Sequence, residues 1–175
     1  LQHISDRMLR AMRREKSGDG IRRLLERIRT QIPGVVLRTS FIVGFPGEQE
    51  EDFQQLLDFV EEAQIDHVGV FRYSQEEGTT AGTLPNQVPD EVKQERWQRL
   101  MERQAIVVRR KNLALIGSEQ QVLVCGHDDR GRLWGRTSGQ APDIDGVVYL
   151  GRTKAEIGEI IPVRTQATSG YDLRA

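Results

Sequence analysis

Cysteine is nearly absent from this 175-residue chain. A lone Cys125 excludes an internal disulfide and any metal site assembled from several thiolates. It sits in a strand-like run with no acid or base beside it, which favours a buried structural thiol. Net charge is almost absent as well. The 25 Lys and Arg face 26 Asp and Glu, leaving −1, so no global field draws the chain toward nucleic acid or a membrane. No apolar run reaches the ~20 residues of a bilayer-spanning helix, and no signal-peptide pattern opens the chain. The expectation is a cytoplasmic protein without membrane contact. Three histidines, His3, His67 and His127, lie far apart, so no metal set is expected from them. A P-loop, a Gly-rich dinucleotide turn and a Ser–His–Asp signature are all missing.

What is present centres on Val35 to Glu48, Val-Val-Leu-Arg-Thr-Ser-Phe-Ile-Val-Gly-Phe-Pro-Gly-Glu. It reads as a strand running into a Gly/Pro turn. Side chains alternate along a strand, so Val35, Leu37, Thr39, Phe41 and Val43 share an almost purely apolar face. Val36, Arg38, Ser40, Ile42 and Gly44 share the other. A guanidinium in mid-strand is costly to bury unpaired, so the second face should look onto something polar. In parallel α/β folds ligands collect at the carboxyl ends of strands, where Gly44–Gly47 falls. The alternative is an ordinary core strand whose arginine bridges to a carboxylate.

Around that stretch the pattern alternates. Helices are expected at about 5–14 and 21–31, with Gly18-Asp-Gly20 as the break between them and Pro33-Gly34 as the stop. A third follows Gln49, with Glu48 to Asp52 acidic in its first turn and Phe53, Leu56, Leu57 and Val60 as its buried stripe. A second strand is expected from His67 to Tyr73, parallel to the first through a right-handed βαβ unit. A long helix then runs from Pro89-Asp90 to about Ile116, with Trp97, Leu100, Met101, Ile106 and Val107 as packing positions.

Past Gly117 the character changes. Gln121–Cys125, Leu133–Arg136, Val147–Leu150, Glu159–Arg164 and Tyr171–Leu173 are five short strand-like runs parted by Gly, Asp or Pro. That spacing suggests a small antiparallel five-stranded β-barrel of the OB type. Such barrels often bind nucleic acid, yet residues 118–175 hold seven basic against eight acidic side chains, which argues weakly against it. Two domains follow, 1–117 and 118–175. The chain opens at Leu1 without methionine, which suggests that an amino-terminal part has been cut off.

The ordered motifs Leu1-Gln-His-Ile-Ser-Asp-Arg-Met-Leu9, Ser40-Phe-Ile-Val-Gly-Phe-Pro-Gly-Glu48 and Tyr73-Ser-Gln-Glu-Glu-Gly-Thr79 closely resemble the radical S-adenosylmethionine methylthiotransferases. Asp143-Ile-Asp-Gly-Val-Val-Tyr149 and Gly170-Tyr-Asp172 resemble the TRAM domain that closes those enzymes. The resemblance implies a fold of α/β class, the last part of a radical-SAM (TIM-like) barrel with parallel strands, followed by the small OB-like TRAM barrel. It is nearest to the branch that methylthiolates an aspartate of small-subunit ribosomal protein twelve. The tRNA-modifying branch carries Ser where His3 stands and Arg-Pro-Gly-Thr where this chain has Glu76-Glu-Gly-Thr79.

By the same resemblance the complete enzyme uses two S-adenosylmethionine molecules and two 4Fe-4S clusters. Its cluster motifs, CxxxCxxC among them, are absent here, so this chain ligates neither cluster and is expected to be inactive alone. It would supply part of the S-adenosylmethionine cradle. Ser40 would meet a ribose hydroxyl, Ile42 the adenine face, and Gly44 would admit close backbone approach, with Arg38 on the same face. Phe71 and Tyr73 are further candidates near adenine. Arg14 is a candidate for the cofactor carboxylate, its alternative being a solvated surface arginine. The implied partners are the ribosomal protein substrate, contacted through the TRAM domain, and the missing amino-terminal half of the same enzyme; RNA is less favoured. The competing readings are a tRNA-adenosine methylthiotransferase and a non-catalytic TRAM module that binds protein or RNA.

Overall fold

A computed structural model describes residues 1–175. Internal contacts divide them into two compact units, Leu1–Val107 and Val108–Ala175. The first unit is built on helix α1 (Asp6–Ala11), helix α2 (Gly18–Gln31), strand β1 (Arg38–Val43), helix α3 (Glu50–Ala63) and strand β2 (His67–Arg72). Helix α4 (Asp90–Ala114) follows a short 3-10 turn.

Gly18-Asp-Gly20 does not break the helical region as expected. These residues form the first turn of α2, because the Ser17 hydroxyl accepts from the Gly20 N–H and caps it. Gly18 is needed there: a Cβ would stand 2.5 Å from the Ile4 carbonyl oxygen. The break comes earlier, at Arg13, whose φ of 55° lies in the left-handed region.

β1 and β2 form a two-stranded parallel sheet in register Arg38↔His67, Ser40↔Gly69 and Ile42↔Phe71. The apolar face of β1 packs into a core made of Phe41, Val43, Phe53, Leu56, Phe59, Val60 and Leu100, among others. Phe41 and Phe59 meet edge to face at 6.2 Å. Along α4, Trp97 and Met101 are partly buried against this core and Leu100 is fully buried, but Ile106 is 54% exposed and packs on nothing in it. The Trp97 indole N–H donates to the Val70 carbonyl at 2.9 Å.

The second unit holds a six-stranded sheet, not the five-stranded antiparallel barrel expected. Its order is β6 (Ile160–Arg164), β3 (Glu119–His127), β4 (Leu133–Thr137), β5 (Val148–Tyr149), β8 (Asp172–Arg174), β7 (Ala167–Ser169). No ladder joins β6 to β7, so the sheet is not closed, and β5 and β8 run parallel. The extra strand is Ala-Thr-Ser, which has no apolar alternation to betray it; it exists because Tyr171 and its neighbours fold back on it as a tight hairpin. Val122, Val148 and Leu173 form the small core. Cys125 is half-buried and not buried, with its thiol on the Leu123 carbonyl.

Phe53 is fully buried at the centre of the first core. Phe53→Ala is expected to cost about 3–5 kcal/mol of stability, seen as an earlier urea midpoint with the slope unchanged.

Candidate functional site

The face of β1 that carries Arg38, Ser40 and Ile42 is turned away from the core. Arg38 and Ser40 are exposed and Ile42 is half-buried, whereas Phe41 and Val43 have no exposed surface. Across the ladder His67, Gly69 and Phe71 continue that face, and Phe71 is 60% exposed. Gly69 makes the face shallow beside Ser40. A Cβ built on it would sit 3.4 Å from the Ser40 hydroxyl oxygen and 3.6 Å from the Phe71 ring. The ladder register puts Gly69 on this face and reveals what its missing side chain uncovers.

The other candidates lie apart from this patch. Tyr73 stacks edge to face on Phe45 at 5.3 Å, with the Lys93 ammonium 5.6 Å from its ring centre. Phe71 and Tyr73 both border a groove of about 770 Å³ beside Lys93, Gln94 and Trp97, which Arg38, Ser40, Ile42 and Gly44 do not line. Arg14 is exposed and donates to the Gln2 side chain at 2.6 Å. Gln2 in turn accepts from the Ile42 N–H through its carbonyl at 3.0 Å, so Arg14 reaches β1 only through Gln2. Gly44 has φ of 74° and lies under the Lys93 stem, 2.3 Å from where a Cβ would be. Its N–H is taken by the Glu48 carboxylate.

That carboxylate belongs to a buried polar cluster beneath the turn. Glu48 Oε2 accepts from Gly44 N–H at 3.0 Å, and Oε1 accepts from Arg96 Nη1 at 2.8 Å. His3 Nε2 stands 3.7 Å from Oε2, both side chains being fully buried. His3 Nδ1 accepts the Ser5 N–H at 3.0 Å, so the imidazole proton is on Nε2 and faces Glu48. Next to it the Ser5 hydroxyl donates to Asp52 at 2.6 Å, and Arg7 pairs with the same carboxylate. Asp52 also completes the capping box of α3 with Gln49.

Burial pushes the Glu48 carboxyl up to about 7, against the pull of Arg96 and the Gly44 N–H. Burial also pushes His3 down to about 4, with Asp52 opposing and Arg96 and Arg7 assisting. The imidazole is therefore neutral at pH 7. Asp52 is held below the usual carboxylate range: desolvation raises it, but bonds from Arg7, Ser5 and the Gln49 N–H outweigh that. Sequence reading treated His3 as one of three scattered histidines and Glu48 as part of an acidic first turn. The available signal was the Gly-Phe-Pro-Gly-Glu turn itself, in which an acid four residues after a glycine is placed to bond back to it.

Residues 116–175 match the family model of the TRAM domain. Over its whole length the chain is 51% identical to the ribosomal protein uS12 methylthiotransferase RimO of Trichlorobacter lovleyi, covering 39% of that protein. It is 51% identical to RimO of Geobacter sulfurreducens over 99% of this chain and 39% of the relative. With RimO of Bordetella pertussis the identity is 47%, over 98% of this chain and 39% of the relative. This chain is homologous to the TRAM-bearing C-terminal region of the RimO methylthiotransferases. It spans 39% of the length of these relatives. Its one cysteine supplies at most one thiolate, so the donor set for a 4Fe-4S cluster is not found within it. No helix is long and apolar enough to cross a membrane.

The two buried groups titrate in opposite senses. A raised Glu48 binds its proton more readily when folded, so the stability it contributes is present below pH 4.5 and is lost as pH rises through about 7. A lowered His3 contributes stability above pH 6.5 that is lost as pH falls toward 4. Glu48→Gln should therefore abolish the loss of stability that Glu48 causes between pH 4.5 and about 7, leaving the acid-side loss from His3 in place. Urea unfolding at half-unit pH steps checks this, and equal slopes near pH 7 in both proteins would refute it.

Proposed function

We propose that this chain forms the closing part of a radical S-adenosylmethionine methylthiotransferase of the RimO type, acting on an aspartate of ribosomal protein uS12. In this reading β1, α3 and β2 are the last units of a TIM-like barrel within residues 1–117, and residues 118–175 are the TRAM domain that docks the substrate protein. The identity of about 51% to relatives that bear that function in their names supports it. The single structural observation that carries the cofactor half of the reading is the outward face of β1. Here a hydroxyl, a guanidinium and two apolar side chains, Ser40, Arg38, Ile42 and Phe71, surround the shallow floor at Gly69.

Those residues fit a sulfonium nucleoside: Ser40 to a ribose hydroxyl, Ile42 and Phe71 to the adenine ring, and Arg38 to a polar group. When bound, S-adenosylmethionine supplies the methyl group that is transferred. Arg14, Gly44 and Tyr73 act through neighbours in this reading: Arg14 orients Gln2, Gly44 makes the turn, and Tyr73 borders the groove next to Phe71. The residues present do not fit an iron–sulfur cluster, and no step through one is assigned to them. The clusters and the remaining barrel strands would come from a further amino-terminal region of the same enzyme. The near-neutral charge of residues 118–175 favours a protein substrate over RNA.

The test uses the longer enzyme that contains this chain. Gly69→Val fills the floor at a site where a β-branched residue suits the strand. It should weaken S-adenosylmethionine binding at least tenfold by calorimetry while leaving thermal stability unchanged or raised. Ser40→Ala should weaken it by about 1 kcal/mol, the worth of one hydrogen bond. Unchanged affinity in both variants would refute the assignment of this face. Methylthio transfer to tRNA and not to uS12 would instead place the enzyme with the tRNA-modifying branch.

A further inference from the structure

Beneath the outward face lies the pair of buried groups for which the cofactor reading has no use. We propose that His3 and Glu48 are positioning residues: together they fix the Gly44–Glu48 turn, and thereby the carboxyl end of β1 where the cofactor is read to bind.

Five observations bear on this turn. Its Oε2 holds the Gly44 N–H inside the turn, and its Oε1 holds Arg96 of α4. His3, on the segment before α1, places its Nε2 3.7 Å from the same Oε2, just beyond hydrogen-bond reach, and that buried nitrogen has no hydrogen-bond partner. The orientation of that imidazole is itself fixed, because the Ser5 N–H occupies Nδ1. Gly44 cannot relax independently, since its φ is positive and the Lys93 stem covers it. One carboxylate thus bonds the turn to α4, with the imidazole of the amino-terminal segment packed beside it.

Burying an acid and an imidazole side by side is an expensive way to fill space; apolar side chains of the same volume would do it at less cost. What a carboxylate adds is a fixed acceptor for one backbone N–H. Holding that N–H sets the direction in which the chain leaves β1, immediately after Ile42. The charged groups that face the pair are Arg7, Asp52 and Arg96. Arg7 is matched by Asp52 and Arg96 by Glu48, which leaves the neutral His3 as the member whose removal alters the turn without unpairing a charge.

The first arm is independent of any cofactor. In the 175-residue chain, amide exchange followed by NMR should show Gly44 exchanging about tenfold faster in His3→Ala, while Phe41 and Val60 change much less. His3→Gln should restore protection, because its amide accepts from Ser5 N–H and donates to Glu48. If His3→Ala does not fold, Glu48→Gln replaces it. That side chain keeps a single acceptor for two donors, so Gly44 protection should again fall. Equal acceleration of Gly44 and the core amides, or failure of His3→Gln to restore protection, overturns the proposal.

The second arm rests on the cofactor reading and uses the longer enzyme. S-adenosylmethionine affinity should fall about tenfold in His3→Ala and return to within about twofold in His3→Gln. A Gly44 amide that responds beside an unchanged affinity would overturn the cofactor reading of β1 together with the last step of this proposal.

Discussion

The Glu48 carboxylate is the constraint on which the first unit depends. It lies at the junction of β1, α3 and α4, and each of its oxygens is committed: one to Gly44, the other to Arg96. Removing an acceptor from two buried donors is costlier than the bonds themselves are worth. The positive φ at Gly44, the buried Phe45 and the capping box at Gln49 lie in the same stretch of chain as this acid. Asp52, one turn along α3, repeats the device toward Ser5 and Arg7. The segment before α1 is anchored by the Ser5 hydroxyl on Asp52 and by the Gln2 carbonyl on the Ile42 N–H, and not by apolar packing alone.

From that junction the face of β1 is decided. Phe41 and Val43 go to the helices, so Arg38, Ser40 and Ile42 must go the other way. The parallel ladder with β2 then sets Gly69 opposite Ser40 and Phe71 opposite Ile42. A mixed patch of polar and apolar side chains on an open sheet face suits a nucleoside, which has both kinds of surface. On that face Phe71 is 60% exposed and Ile42 is half-buried, apolar surface that the helices of the first unit leave uncovered.

Much of this was legible in the sequence, and the rest was hidden for physical reasons. Strand alternation sorted the two faces of β1 correctly because Arg38 and Ser40 fix the parity of one face, while Phe41 and Val43 fall on the other. The α3 stripe was legible for the same reason at helical spacing. Gly18-Asp-Gly20 was misread because two glycines outweigh a cap in any propensity argument, whereas here Ser17 and the crowding at Ile4 decide. β7 could not be seen, since Ala167-Thr-Ser169 has neither apolar alternation nor length. The role of His3 was invisible because its partner lies 45 positions away and only burial joins them.

One bond described above bears on the open edge of β2. β2 pairs on one side only, and the N–H groups of His67 and Tyr73 go to β1, so Val68, Val70 and Arg72 turn their backbone outward. Such a row is a template for another chain's strand. The Trp97 indole, sent across from α4, occupies the Val70 carbonyl in the middle of that row. An incoming strand would have to expel a half-buried indole before it could form a continuous ladder. Trp97 therefore occupies one acceptor of the open edge as well as packing against the core.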